Sequence, residues 1–248
     1  ILDTHDGIGL MGVKEILPKE EIEFIIQKAE ENGALISYKM TVDRTEEPYE
    51  INTTWWSAVN GDHAEEAMDL QVKRYLASRS IALVIQGVPG LYVHGVIGSS
   101  NDHEPVRKTG IRRDVNRAVI KVGELAESVK DPGSRLSLLA RHWPVMNLAR
   151  TRERAFHPQG DQKVLAISPR VFTVLRTSPE GDRNILAMTN VAGVACSVEL
   201  RLSCLGIEKD IWRDLLSGRT FEAESGTLKI TLQPYDVVWL KPVPDAHG

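Results

Sequence analysis

The stretch Arg170-Val-Phe-Thr-Val-Leu175, Pro179-Glu-Gly-Asp182, Asn184-Ile-Leu-Ala-Met188 places two short apolar runs on either side of a turn. Apolar and β-branched residues favour strands, whereas Pro, Gly and Asp favour tight turns. The same pattern recurs at Lys163–Ile167, Cys196–Leu200, Ile211–Leu216, Thr227–Leu232 and Asp236–Leu240. Short strands at this spacing predict an antiparallel β-sandwich, which we place at residues 156–248.

Before this region the pattern changes to apolar helices separated by glycine-rich breaks. Helices are predicted at residues 18–33, 61–76 and 79–85, and over most of 115–154. Leu91–His94 is expected to be a short buried strand that leads into a polar loop. This order of elements is typical of an α/β barrel or a layered sheet. We therefore place an α/β domain at residues 1–155.

The composition is that of a globular protein and excludes several classes of function. Hydrophobic residues make up 42% of the 248 residues, which is too many for a disordered chain. The chain carries 30 Lys and Arg against 34 Asp and Glu, so it lacks the positive charge on which nucleic-acid binding depends. No apolar run approaches the roughly 20 residues that span a bilayer.

The cysteines indicate the cellular compartment, and the first residues indicate whether the sequence is part of a longer protein. Cys196 and Cys204 lie eight residues apart without CxxC or histidine spacing, so neither a disulfide framework nor a metal site is expected. Such cysteine usage fits a reducing, cytoplasmic setting. The chain opens Ile1-Leu-Asp-Thr-His-Asp6, with neither Met nor the regions of a signal peptide. The expectation is a piece of a longer protein.

Four features are candidates for a functional site, and each has a structural alternative. His5-Asp6 lies in a glycine-rich loop and could bind hydroxyl groups or form an ordinary Asx turn. Arg112–Arg117 could bind a sugar or an anion, or could start a helix with Asp114 as its N-cap. Tyr49–Trp56 could stack on sugars or pack in the core. His94 is expected to be a hydrogen-bonded core histidine.

Taken in order, these segments resemble a known family. The motifs are THDGIG at residues 4–9, PYEINTTWWSAV at 48–59, GVPGLYVHGVIGSSND at 87–102, RKTGIRRDVNR at 107–117 and PYDVVWL at 234–240. Together they resemble the C-terminal portion of a glycoside hydrolase family 13 enzyme, the α-amylase family, and within it the sucrose phosphorylase subfamily. The resemblance implies an α/β fold: strands seven and eight of a (β/α)₈ barrel with their helices, followed by an all-β antiparallel sandwich.

The resemblance also implies roles for single residues. Asp6 would be the catalytic carboxylate that stabilises the transition state, and His5 would line the glucose subsite beside it. Arg113 would match the glucose-binding arginine of the subfamily. The segment Asp43–Glu50 would be an acceptor-site loop that alternates between phosphate-binding and acceptor-binding states. It would supply the substrate-binding residues Arg44, Glu47, Tyr49 and Glu50.

The implied reaction is a retaining transfer of a glucosyl group from an α-glucoside, such as sucrose or glucosylglycerate, to phosphate. Glucose 1-phosphate would be the product, and no cofactor, metal, nucleic acid or membrane would take part. The family's nucleophile Asp and acid/base Glu follow barrel strands four and five, and neither is found in this sequence. The 248 residues alone are therefore expected to be inactive. For stability they are expected to need the N-terminal part of the same enzyme or a partner surface, with a homo-oligomer as an option.

The acceptor is less tightly specified by the sequence. Glu50 stands where sucrose phosphorylases tend to carry Gln, which resembles the branch acting on glucosylglycerate and related glucosides. Lys39, Arg44 and Arg112-Arg113 could meet an anionic acceptor or phosphate, or could form a solvated charged loop. Two other functions stay open: a hydrolase or transglycosylase of the same family, and a non-catalytic carbohydrate-binding or structural module.

Overall fold

The computed structural model describes residues 2–207 and 209–243 of the 248-residue chain. The α-helices in these residues are α1 (Lys19–Glu31), α2 (Trp55–Asn60), α3 (Met68–Val84), α4 (Val93–Ile97), α5 (His103–Thr109), α6 (Val122–Lys130) and α7 (Arg135–Arg152). The strands are β1 (Ile8–Gly9), β2 (Leu35–Met40), β3 (Glu46–Asn52), β4 (Asp161–Val164), β5 (Val171–Thr177), β6 (Asn184–Asn190), β7 (Cys196–Arg201), β8 (Ile211–Asp214), β9 (Thr220–Glu222), β10 (Thr227–Leu232) and β11 (Val237–Pro242).

The chain forms two compact units. The first comprises Ile1–Gln71 and Gly90–Ala140, and the second comprises Val72–Pro89 and Arg141–Gly248. The predicted domain boundary between residues 155 and 156 stays a prediction. Within the described ranges, no helix has the length and apolar character needed to cross a membrane.

The first unit contains a three-stranded antiparallel sheet with the order β1-β3-β2. Ile51 of the middle strand lies opposite Ile8 and Ile36 of the two neighbouring strands, and these residues pack in one core with Ile22 of α1. Because side chains alternate along a strand, the residues on either side of Ile51 lie on the other face of the sheet. That face of β3 carries polar side chains, and it forms one wall of the candidate site.

Helix α1 confirms the helix predicted at residues 18–33. Glu20 and Glu21 lie in its first turn, where the positive end of the helix dipole favours acidic groups. Asn32 caps its C-terminal end, and Gly33 follows with a φ of 94°, a conformation that favours glycine.

The second unit contains the predicted β-sandwich. A six-stranded sheet with the order β4-β5-β6-β11-β8-β9 faces the two-stranded sheet β10-β7. Apolar side chains of both sheets share one core, including Leu186 and Val238 from the larger sheet and Leu200 and Leu228 from the smaller one. Each strand predicted for residues 156–248 is present at least in part, so the antiparallel sandwich is confirmed. Strand β9 has no counterpart among the predictions, because three residues are too few to show an alternating pattern.

Helix α3 differs from the sequence prediction. Two helical segments are predicted between residues 61 and 85, and the structure has one continuous helix that begins only at Met68. Gly61, with a φ of 79°, ends α2, so the chain turns before the next helix begins.

Two buried arginines satisfy the C-terminal end of α3 within the second unit. Arg176 donates to the carbonyl oxygen of Val84 at 2.8 Å, and Arg150 donates to the carbonyl oxygens of Leu83 and, at 2.7 Å, Gly87. The last carbonyl groups of a helix have no partner inside the helix and carry partial negative charge. The two guanidinium groups supply both the missing donors and the opposite charge.

The predicted strand at Leu91–His94 is wrong. Residues 91 and 92 are irregular, and the short helix α4 begins at Val93. Among the residues that the structure describes, no segment pairs with this stretch, and an unpaired strand leaves its backbone groups without hydrogen bonds. The acceptor-site loop that the resemblance implies at Asp43–Glu50 also ends early, because Glu46–Glu50 lie in β3, where Glu46–Pro48 pair with β2.

Candidate active site

The site is built around the loop formed by Thr4–Gly7. Gly7 has a φ of 118°, and a Cβ atom at this position would lie 2.6 Å from the carbonyl oxygen of Ile51. Only glycine fits both the conformation and the close approach. The Thr4 hydroxyl donates to the carbonyl oxygen of Gly7 and accepts from the backbone N–H of Asp6, at 3.3 and 3.1 Å. The loop is therefore a tight turn held against the middle strand of the sheet.

Side chains distant in sequence hold three successive carbonyl oxygens of this loop, those of Thr4, His5 and Asp6. The donors, in the same order, are Asn116 Nδ2 at 2.9 Å, Arg117 Nε at 2.7 Å and Asn52 Nδ2 at 2.9 Å. Asn52 is fully buried, and its own oxygen accepts from the Ser37 hydroxyl at 2.6 Å. The sequence assigns no separate role to these three donors. Their only signal is that they lie within the candidate segments Tyr49–Trp56 and Arg112–Arg117.

The Asp6 carboxylate lies at the centre of a charged cluster. Its Oδ1 atom lies 3.1 Å from Arg113 Nη1, 3.4 Å from Arg117 Nη2 and 3.4 Å from His5 Nε2. The Asp6 side chain is 42% exposed, so a ligand can reach it. The structure thus brings together His5, Asp6 and Arg113, as the resemblance implies, and adds Arg117 to them.

Arg113 is held mainly by a second carboxylate. Its Nε and Nη2 atoms donate to Glu50 Oε2 and Oε1 at 2.8 and 2.9 Å, while its Nη1 atom donates to Asp6. The hydrogen bonds to Glu50 raise the pKa of Arg113; partial burial opposes this effect, and the charges of Glu50, Asp6 and Tyr49 reinforce it. Glu50 has a side chain only 8% exposed. It lies on the face of β3 opposite to Ile51.

The segment around Arg113 is a short 3₁₀ turn, Arg112–Asn116, and not the start of an α-helix. Asp114 lies inside this turn and accepts from the Thr109 hydroxyl at 2.6 Å, so it is not the N-cap that the sequence allows. The turn places Arg113 and Arg117 on the same carboxylate, that of Asp6.

The other predicted substrate-binding residues have different surroundings. Glu47 pairs with Lys14 at 2.5 Å and with Lys39 at 3.2 Å, and the hydrogen bond from Lys14 is the largest cause that lowers the pKa of Glu47. Arg44 is exposed in the turn between β2 and β3, with a φ of 61°. Tyr49 is half-buried, and its carbonyl oxygen accepts from the backbone N–H of Leu10 at 2.9 Å.

Two aromatic candidates belong to the interior of the first unit. His94 is 6% exposed, and its Nδ1 atom lies 2.9 Å from the Ser99 hydroxyl, which confirms a hydrogen-bonded core histidine. Burial lowers the pKa of His94, and the charge of Asp3 partly offsets this effect. Trp56 is 3% exposed with the Arg135 guanidinium 4.7 Å from its ring centre, so it packs and does not present a free face.

No group of three or more His, Cys, Asp or Glu side chains in residues 2–207 and 209–243 is arranged to hold a metal ion. The absence of a cofactor stays a prediction.

Known proteins match both parts of this chain. Residues 157–239 match the family model described as the maltogenic amylase C-terminal domain. The chain is 34% identical to a glucosylglycerate phosphorylase of Spirochaeta thermophila, over 98% of this chain and 42% of that protein. The chain belongs to glycoside hydrolase family 13. The resemblance to its sucrose phosphorylase subfamily is confirmed as well, because glucosylglycerate and sucrose phosphorylases are among the relatives that match it.

Two further family members show how far the likeness extends. A sucrose phosphorylase of Streptococcus mutans is 33% identical over 53% of this chain and 26% of its own length. The crystal structure of sucrose 6F-phosphate phosphorylase from Thermoanaerobacter thermosaccharolyticum has a TM-score of 0.60 at 21% identity, over 94% of this chain and 40% of that one. The chain shares the fold of this family-13 enzyme, and it spans about two fifths of the length of the glucosylglycerate phosphorylase.

The arrangement has a definite chemical capacity. The Asp6 carboxylate can accept hydrogen bonds from hydroxyl groups and can stabilise positive charge that develops nearby. Arg113 and Arg117 retain further N–H groups that can donate to hydroxyl or anionic oxygens. A site of this kind suits a sugar whose reacting carbon becomes positively charged.

Proposed function

We propose that this chain is part of a retaining glycoside phosphorylase that transfers a glucosyl group from an α-glucoside to inorganic phosphate and releases glucose 1-phosphate. The observation that carries the proposal is the Asp6 cluster, in which a reachable carboxylate is held in place by Arg113 and Arg117. The family relationship to glycoside phosphorylases supports the direction of transfer, to phosphate and not to water.

In the proposed reaction, Asp6 stabilises the transition state. A retaining enzyme uses two other carboxylates, a nucleophile that forms the glucosyl–enzyme bond and an acid/base that protonates the leaving group and then deprotonates the acceptor. The resemblance assigns these two to barrel strands four and five of the family. As the glycosidic bond breaks, the sugar ring gains positive charge, and a carboxylate already fixed in position stabilises this charge without reorganising.

Arg113 and His5 recognise the glucosyl group in this proposal. Arg113 has N–H groups on Nη1 and Nη2 beyond those bonded to Asp6 and Glu50, and these can donate to sugar hydroxyl groups. The His5 side chain is 65% exposed beside Asp6, so it is accessible to the same ligand. The hydrogen bonds to the loop carbonyl oxygens keep His5 and Asp6 in register with the sheet.

We propose that phosphate and the molecule released from the glucoside, which is the acceptor in the reverse reaction, bind at the hairpin that joins β2 and β3. The turn is closed by a hydrogen bond from the backbone N–H of Thr41 to the carbonyl oxygen of Thr45 at 2.8 Å, and Arg44 takes an uncommon positive φ of 61° within it. A strained, exposed cation at a hairpin tip fits a loop that exchanges between two states. In this proposal β3 anchors one end of the loop, and the tip changes position between the phosphate-binding and acceptor-binding states.

We propose glucosylglycerate as the glucoside. The relative named glucosylglycerate phosphorylase is similar over 98% of this chain, whereas the sucrose phosphorylase is similar over 53%. Glycerate is an anion, and charge-assisted hydrogen bonds from Arg or Lys side chains suit it better than they suit neutral fructose. Arg44 and Lys39 are the basic side chains of the hairpin.

The decisive experiment is a panel of phosphorolysis assays on the complete gene product that contains this sequence. Sucrose, sucrose 6′-phosphate, glucosylglycerol and glucosylglycerate are each supplied with phosphate, and release of glucose 1-phosphate is followed. We expect the highest kcat/KM with glucosylglycerate. A parallel set without phosphate measures release of free glucose.

Each other outcome has a distinct meaning. A higher kcat/KM with another glucoside refutes glucosylglycerate as the substrate but supports the proposed phosphorolysis. Free glucose released equally fast with and without phosphate indicates a hydrolase of the same family. No product from any glucoside, with a folded protein, indicates a non-catalytic module.

A further inference from the structure

We propose that Glu50 is a positioning residue that orients Arg113 toward Asp6, and that it does not itself bind the substrate. The inference rests on the proposed function, since it assigns Glu50 a part in glucosyl transfer. It differs from the substrate-binding role that the family resemblance implies for this residue.

The first argument is that both oxygens of the Glu50 carboxylate are already engaged. Oε1 accepts from Arg113 Nη2 at 2.9 Å, and Oε2 accepts from Arg113 Nε at 2.8 Å and from Asn52 Nδ2 at 2.7 Å. The side chain is 8% exposed, compared with 42% for Asp6. Three of the roughly four acceptor positions of the carboxylate are thus occupied, and its burial leaves the remaining position on Oε1 little access to a sugar or acceptor hydroxyl, whereas Asp6 is open to it.

The second argument comes from the shape of the guanidinium group. This group is planar and rigid, so a carboxylate that binds the Nε–Nη2 edge also sets the direction of Nη1. In the structure Nη1 then lies 3.1 Å from Asp6 Oδ1. Glu50 thereby orients the atom of Arg113 that contacts the proposed transition-state stabiliser.

The third argument is that Glu50 itself stands on a rigid base. It lies in the middle strand of the sheet, opposite Gly9 of β1 and Ser37 of β2, so its backbone is held from both sides. Asn52 donates to the Glu50 carboxylate and to the carbonyl oxygen of Asp6 through the same amide nitrogen. Its oxygen is held in turn by the Ser37 hydroxyl. One hydrogen-bonded chain therefore links the sheet, Glu50 and the Asp6 loop.

Glu50→Gln tests the proposal in the complete gene product. Glutamine keeps the shape of the side chain, but it has one acceptor oxygen where glutamate has two. Its NH₂ group would face the N–H donors of Arg113 or Asn52 and could not accept from them. We expect kcat to fall about tenfold or more, which is typical when a residue that orients a ligand-binding side chain by hydrogen bonds is lost. The fall should be the same with phosphate and with glycerate as acceptor, since Arg113 serves both directions of transfer. Glu30→Gln, which removes the same charge from an exposed position of α1, is the matched control and leaves kcat unchanged.

A double-mutant cycle with Arg113→Lys separates positioning from binding. Lysine lacks the planar fork, so in this background Glu50→Gln should change kcat less than about twofold. If Glu50 binds substrate directly, the fold-decreases in kcat of the two single variants multiply in the double variant, or Glu50→Gln raises KM for one acceptor alone. Either result overturns the proposal. Should Glu50→Gln fail to fold, Glu50→Asp takes its place, because it keeps the charge but is too short for the two-point contact.

A spectroscopic readout keeps this test independent of activity. The Arg113 Nε–H signal in ¹⁵N NMR, assigned by its disappearance in Arg113→Lys, should be protected from exchange in the wild type and lose that protection in Glu50→Gln. An unchanged signal overturns the proposal even if activity falls. If the wild type releases no glucose 1-phosphate, the proposed function fails, and the NMR result still decides whether Glu50 orients Arg113.

Discussion

Asp6 and Glu50 both pair with Arg113, but their carboxylates differ in exposure to solvent. This difference in exposure suggests a different role for each. Asp6 is open to ligands, whereas Glu50 is enclosed by Arg113 and Asn52. A catalytic carboxylate must touch the reacting sugar, so exposure favours Asp6 for that role. An enclosed carboxylate acts through its neighbours.

Asp6→Asn is the most direct test at the residue scale. Asparagine keeps the shape of the side chain but removes the negative charge that we propose stabilises the transition state. We expect kcat for phosphorolysis to fall about 10²–10³-fold, equivalent to about 3–4 kcal/mol, as for other preorganised electrostatic contacts. The unfolding free energy should change by less than about 1 kcal/mol, because the ion pairs of Asp6 are partly solvated. Asp210→Asn, at an exposed position of the second unit, is the control, and wild-type rates in Asp6→Asn would refute the assignment.

His94 gives the first unit a pH-dependent stability. Burial lowers its pKa in the folded state, so the unfolded chain binds this proton more readily. The stability that neutral His94 contributes is complete above its unfolded pKa of about 6.5 and is lost as the pH falls below that value. In urea titrations at pH 7.5 and 5.5, His94→Gln should therefore lose less stability on acidification than the wild type. His63→Gln, at an exposed position, should behave as the wild type; an equal loss in His94→Gln would contradict the prediction.

At the scale of elements, the glycine loop and β3 depend on one contact. Gly7→Ala would place a Cβ atom 2.6 Å from the carbonyl oxygen of Ile51 at a φ of 118°. We expect a loss of about 2 kcal/mol in urea unfolding, together with a fall in kcat, because the Asp6 loop must move away from the sheet. Gly9→Ala is the matched control two residues away, since a Cβ atom there meets nothing within 4 Å. Equal stability of the two variants would contradict this account of the loop.

The elements also show which parts of the fold local patterns can predict. The sandwich strands were predictable, because alternation and turn residues act between neighbours in the chain. The strand expected at Leu91–His94 was not, because a strand exists only where another segment pairs with it. Likewise, Glu46–Glu50 of the expected loop Asp43–Glu50 form part of strand β3, because β2 lies beside them.

At the scale of the whole molecule, one buried arginine connects several segments of the second unit. In the second unit Arg176 is fully buried and donates to the carbonyl oxygens of Val84, His157 and Asp161 at 2.8, 2.9 and 3.1 Å. Burial is the main cause that lowers the pKa of Arg176, and the nearby charge of Arg150 adds to it. This one side chain joins α3 to the sandwich within the unit.

Arg176→Met tests that connection. The apolar chain fills much of the space but leaves three buried acceptors without donors, at about 1–3 kcal/mol each before relaxation. We expect the second unit to lose about 3 kcal/mol or more in urea unfolding, and residues 72–84 of α3 to exchange their amide hydrogens faster. Arg170→Met, at an exposed position before β5, should leave both measurements near the wild type. A loss below about 1 kcal/mol in Arg176→Met would mean that the three carbonyl oxygens find other donors.

Local patterns along the chain were sufficient for the sandwich, for α1 and for the set of charged residues that could form a site, because capping, alternation and turn formation involve residues close in sequence. Which of those residues meet was set by three-dimensional contacts alone. Glu50 and Arg113 are 63 residues apart and Asp6 and Arg113 are 107 apart, whereas Glu47, three residues before Glu50, pairs with two lysines instead. Regular alternation would place Glu47 and Glu50 on opposite faces of the sheet. The pairing of β3 with β2 shifts between Ser37 and Tyr38, so Tyr49 is passed over and the two glutamates pair with Lys39 and Ser37, two residues apart on β2. The surroundings of Glu47, Tyr49 and Glu50 therefore depend on an irregularity that only the pairing of the two strands decides.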